Sequence, residues 1–169
     1  MPKRIRYLLV FVSVLMLALA AGPFSVLNAK HPKMLEFDSM VGVPAALTGT
    51  QSPIRGVNGG GLPWTVGSAH GELTAAGHLE IEVRGLVFAA GPNTGKNTVS
   101  SFRGLVSCLQ SDGSVANVLT GLFPATVGFA DEGGGNADIE ANLALPEACL
   151  APILFVTSPG GSWFAVTGR

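Results

Sequence analysis

The sequence predicts an all-β fold: an antiparallel β-sandwich, immunoglobulin-like or jelly-roll-like, closed by one intradomain disulfide. Three observations carry that expectation. Beyond residue 48 the apolar residues recur in short alternating runs, the signature of half-buried strands. Glycine-rich turn signals separate those runs at the spacing expected of a sandwich or barrel. No stretch after the N-terminal apolar segment reads as an amphipathic helix.

The strands follow in order. Residues 70–74 and 78–83 flank Ala75-Ala76-Gly77, a three-residue hairpin loop if Gly77 is left-handed. That loop sets Leu73 opposite Leu79 and His70 opposite Glu82. It places Leu79, Ile81 and Val83 on one face, with His78, Glu80 and Glu82 on the other. Residues 98–110 and 114–122 flank Ser-Asp-Gly, a second hairpin. Residues 136–145 alternate Ala137, Ile139, Ala141 and Leu143 with polar partners until Pro146. Residues 153–157 and 162–167 flank Ser-Pro-Gly-Gly, where Pro159 and Gly160 suit the centre of a type II turn. Gly85 and Gly104 sit in two similar stretches, VRGLVF and FRGLVS. They read as β-bulges, although shared strand composition explains the echo equally well.

The 169 residues make one domain's worth of chain. Met1 to Tyr7 carries three positive charges, and the apolar run LLVFVSVLMLALAA follows. That pattern reads as a signal peptide over residues 1–29, with cleavage after Ala20 as an alternative. The run is short for a membrane span, which needs about 20 apolar residues, but an uncleaved anchor stays open. Residues 30–48 read as an irregular N-terminal segment and 49–169 as a single β-sandwich domain. Removing Lys3, Arg4 and Arg6 leaves seven of the 10 basic side chains against 11 acidic ones. Such a balance argues against a nucleic-acid or anionic-membrane partner, and no membrane span is expected after cleavage. In an oxidising compartment Cys108 and Cys149 are expected to pair, closing a loop of about 40 residues worth roughly 4 kcal/mol. Two buried thiols are the alternative.

Catalytic signatures are missing from the sequence. There is no G-x-S-x-G elbow, and no catalytic residue, metal ligand or cofactor is assigned. His70 and His78 fall on one exposed face but about 13 Å apart along the strands, too far to share a zinc ion. The bland reading is a solvated acidic face with a His70–Glu82 pair. The run from Asp131 to Glu140 fits no EF-hand and reads as a connection followed by a strand. Glu72, Glu80, Glu82, Asp138 and Glu140 are the carboxylates a hydrolase would draw on. Trp64 and Trp163 read as core residues; only if exposed would they form a sugar platform. The loop TQSPIRGVNGGGLPW is no phosphate cradle, because Leu-Pro-Trp follows its glycines and no helix does. It reads as a tight corner pinned by Trp64. Arg55, Trp64, His70 and Glu82 are the candidate binding residues.

Two stretches, PIRGVNGGGLPW near the start of the domain and APILFVTSPGGSWFAVTG at its end, resemble a group of small secreted bacterial proteins of unknown function. The resemblance implies export and a compact β-rich domain with one disulfide, and it transfers no catalytic residue. The functional expectation is a secreted or cell-surface module with a non-catalytic interaction or structural role. Its partner would be an extracellular protein or glycan. A secreted hydrolase with dispersed carboxylates and a carbohydrate-binding module are the alternatives.

Overall fold

The computed structural model describes residues 32–167, so the signal-peptide reading of residues 1–29 lies outside the described residues. Strands β1 (Lys33–Phe37) and β2 (Met40–Gly42) come first, followed by a 3-10 turn at Ala45–Leu47. β3 (Trp64–Thr65) precedes the hairpin of β4 (Ser68–Thr74) and β5 (His78–Arg84). Two short strands, β6 (Val87–Phe88) and β7 (Lys96–Asn97), lead to β8 (Ser101–Leu109) and β9 (Val115–Leu119). β10 (Phe123–Pro124), β11 (Gly128–Phe129) and a 3-10 turn at Ala130–Glu132 connect to β12 (Ala137–Asn142). The hairpin of β13 (Leu150–Thr157) and β14 (Trp163–Thr167) completes the domain.

The all-β expectation is met, with antiparallel strand pairing in both principal sheets. Sheet A runs β1-β4-β5-β12; sheet B runs β10-β8-β13-β14-β2, with β9 also lying along β8. Within the segment 30–48 that the sequence reads as irregular, the described residues hold two strands. Leu35 pairs with Leu73 and Val41 with Val166, so β1 and β2 belong to the two sheets. Their partners lie far along the chain, and each strand is short.

Alternation decides which face of each strand meets the core. Leu79, Ile81, Val83 and Ile139 of sheet A are fully or almost fully buried, as are Phe102, Val106, Leu154 and Val156 of sheet B. Gly104 marks a close approach of the two layers. A Cβ there would press on Leu79 Cδ2 at 3.0 Å and Ile139 Cγ2 at 3.3 Å. It would also meet Thr120 Cγ2 at 3.1 Å. Here the edge partner of β8 changes from β9 to β10, and Gly104 N–H donates to Thr120 Oγ1. Gly85, with φ of +63°, follows the end of β5 and donates its N–H to Asn136 Oδ1. The register shifts in the paired strands lie between Lys33 and Leu35, Leu150 and Ile153, and Val156 and Thr157. The bulges expected at Gly85 and Gly104 are therefore a strand end and a change of partner.

The β4–β5, β8–β9 and β13–β14 hairpins use one loop design. Gly77, Gly113 and Gly161 have φ between +84° and +89° and occupy the third position of three-residue loops. Their N–H groups donate to Thr74 O, Gln110 O and Ser158 O respectively. Only glycine enters that region without steric cost, and the resulting twist matches the flanking strands. The expected type II turn with Gly160 at its centre is corrected accordingly: the left-handed residue is Gly161. In the middle loop Ser114 holds the Asp112 carboxyl below its usual range by hydrogen bonding.

Cys108 and Cys149 form the expected disulfide, their Cα atoms 4.6 Å apart and 41 residues apart in sequence. The bridge ties β8 to the start of β13, beside the Leu109–Leu150 pair. Among the described residues no helix is long and apolar enough to cross a membrane.

If Gly104 sets the closest packing of the layers, Gly104→Ala should destabilise the domain by about 1–3 kcal/mol through overpacking. A denaturation series should show a lower midpoint at unchanged slope.

Candidate functional site

The loop between β2 and β3 contains two of the sequence candidates, Arg55 and Trp64. Ile54 and Val57 exchange two backbone hydrogen bonds, of 3.0 and 2.9 Å, around Arg55 and Gly56. Both central residues have positive φ, +48° and +77°, as a two-residue type I′ turn requires. An arginine in the left-handed region carries strain of about 1–2 kcal/mol. Two contacts hold it there. Arg55 Nη1 donates to Ser107 O at 2.9 Å, and Arg55 O accepts from Asn117 Nδ2 at 3.1 Å. Arg55 thus pins the loop tip across β8 and β9, a structural use of the side chain.

The three glycines that follow do different things. Gly59 bridges in parallel to Trp163, whose N–H donates to Asn58 O while Gly60 N–H donates to Trp163 O. A Cβ on Gly59 would collide with Leu47 O, and one on Gly60 would meet the Phe164 ring at 3.0 Å. Around Gly61 the space is open. Trp64 is buried and stacks on Phe164 at 4.0 Å between ring centroids, with Phe88 at 4.2 Å. Trp163 is buried as well, next to Phe155. Neither tryptophan forms an exposed surface platform, and the Trp64 ring packs in the core. The two stretches that carry the sequence resemblance meet at this corner through Gly59 and Trp163.

The other candidates, His70 and Glu82, lie on the outer face of sheet A. They pair across β4 and β5 as the hairpin register predicts, with His70 Nε2 3.5 Å from Glu82 Oε2. Assembly of the sheet adds an arrangement absent from any one hairpin. Glu36 lies opposite Glu72, Glu72 opposite Glu80, and Glu80 opposite Glu140. Four glutamates therefore cross all four strands in one row, and His70, Glu82 and Asp138 form the next.

Cations secure the two ends of this face. Lys33 Nζ lies 2.7 Å from Glu36 Oε1 and 2.6 Å from Glu72 Oε2. Hydrogen bonding to Glu36, then to Glu72, raises the lysine well above its ordinary value. Arg84 Nη2 lies 2.7 Å from Asp138 and 3.0 Å from Glu82, while its Nη1 donates to Val83 O and Ala137 O. Between them Glu80 and Glu140 have no ion-pair partner among the described residues. A depression of about 140 Å³ lies over Glu36, Asp38, His70, Glu72, Glu80 and Glu82. Pockets for organic ligands usually hold about 300–1,000 Å³. Among the described residues no three potential metal ligands converge.

The five carboxylates named from the sequence do share one face, but the depressions on it are small. Glu36 is not among the sequence candidates, because residues 30–48 read as irregular in sequence. The alternation of Leu35 and Phe37 with Glu36 was the available signal. Comparison with family models, curated proteins and solved structures finds no match for this chain.

Two substitutions separate the roles of the corner glycines. Gly59→Ala should cost about 1–3 kcal/mol in a denaturation series, whereas Gly61→Ala should stay within about 0.5 kcal/mol. On sheet A, Glu80→Gln should raise stability by a few tenths of a kcal/mol, up to about 1, because it relieves like charges directly opposite. That gain should shrink with added salt when melting is followed across ionic strengths.

Proposed function

We propose that the protein is an exported, non-catalytic module that binds a positively charged extracellular partner through the outer face of sheet A. The observation that carries the reading is the row Glu36, Glu72, Glu80 and Glu140 across four neighbouring strands. Placing like charges directly opposite weakens a sheet, so the row costs folding stability. A cationic surface would offset that repulsion on binding and steer association. A face with only small depressions suits a protein segment bearing several lysines or arginines better than a small molecule. The signal-like N-terminus and the disulfide support export.

The hydrolase alternative draws on the same carboxylates, since Glu72 and Glu80 are cross-strand neighbours. A glycoside-cleaving pair, however, flanks a sugar held in a cleft. The depression beside these residues is below the usual ligand volume, which favours the binding reading.

A synthetic oligolysine peptide is a direct probe. Calorimetric titration should show binding that weakens as salt rises, and E80Q/E140Q should weaken it about fivefold at low salt. Salt-independent binding, no binding, or an unchanged affinity in E80Q/E140Q would each remove the proposal.

A further inference from the structure

The exposed edges of the two sheets differ in how they are protected against another strand. β12 carries Asp138 and Glu140, and β1 carries Lys33 and Glu36 together with a register shift. β2 is only three residues long, and β10 contains Pro124. Charge, irregularity, shortness and proline are the usual means of blocking edge-to-edge pairing. β9 has none of them. From Val115 to Leu122 the sequence VANVLTGL has neither a charge nor a proline. Val115, Leu119 and Leu122 are 41%, 42% and 51% exposed, and Leu150 lies in the same row as Leu109 and Val115.

The hydrogen-bond phase of β9 follows from its ends. Gln110 N–H donates to Ser114 O, and Thr120 N–H donates to Gly104 O. Alternation along an antiparallel ladder then makes Ala116 and Val118 the residues bonded to β8. The N–H and C=O groups of Val115, Asn117 and Leu119 are left pointing away from β8.

We propose that β9 is a homodimer interface, pairing antiparallel with β9 of a second copy about a twofold axis at Asn117. The strand is self-complementary in that register. Val115 meets the other copy's Leu119, Ala116 meets Val118, and Asn117 meets its own equivalent. The outward groups of residues 115, 117 and 119 then fall into hydrogen-bonded pairs, and sheet B continues across the axis. Charge selects the same surface. The described residues hold five basic and 11 acidic side chains, so two copies repel over most approaches and meet at lowest cost along an uncharged edge. Arg55 O holds the Asn117 side chain on the sheet face, away from the pairing direction.

Sedimentation equilibrium of the purified chain over a concentration series tests the proposal. Wild type should reach a dimer and go no further, with slowed amide exchange at Val115, Asn117 and Leu119. V115K/L119K places lysine against lysine at both ends of the interface and should weaken dimerisation about tenfold or more. V115K/L119E places lysine against glutamate in the same register and should restore most of the lost affinity. Both positions are exposed, and circular dichroism checks that each variant is folded. A wild type that stays monomeric at its solubility limit overturns the proposal. So does a dimer insensitive to V115K/L119K; failure of V115K/L119E to recover pairing overturns the Asn117 register.

Discussion

Burial of Leu79, Ile81 and Val83 governs the arrangement of this domain. These residues alternate along β5, the interior strand that links β4 to β12, and each is fully enclosed by the opposite layer. A one-residue slip would place all three in water and drive Glu80 and Glu82 into the core. The apolar residues therefore fix the register of the whole sheet, and the glutamate row is a consequence of that register. The acidic face is positioned by side chains that never reach it.

Features joined by few residues were legible in the sequence. The loop with Gly77 left-handed, the Leu73–Leu79 register and the His70–Glu82 pair all follow from spacing within one hairpin. Cys108 and Cys149 were legible because the sequence contains only two cysteines. Strand order was hidden, and with it went Glu36 and the continuity of the row. β2 was missed for a related reason: its three residues pair with β14, at the opposite end of the chain. In the last hairpin, Ser-Pro-Gly-Gly offers two adjacent glycines, and only the loop's hydrogen bonding distinguishes Gly161 from Gly160.

The glycine corner illustrates how a conspicuous motif can serve the fold alone. Consecutive glycines beside an arginine suggest an anion site when seen in one dimension. In three dimensions Gly59 and Gly60 make room for Leu47 and the aromatic rings, and Arg55 is bound to the backbone of β8. The charged face, by contrast, has no compact motif, because its residues come from four strands spread over more than 100 positions.

The repeated hairpin loop bears on how the chain acquires its structure. β4–β5, β8–β9 and β13–β14 are each built from neighbouring segments, and a hairpin can form in about 1–10 μs. Joining β8 to β13 is slower, because a long intervening stretch must first be closed. The Cys108–Cys149 bridge lies at that junction. Oxidation thus converts a distant meeting of two hairpins into a local one, making the redox state of the compartment a determinant of assembly rate as well as of stability.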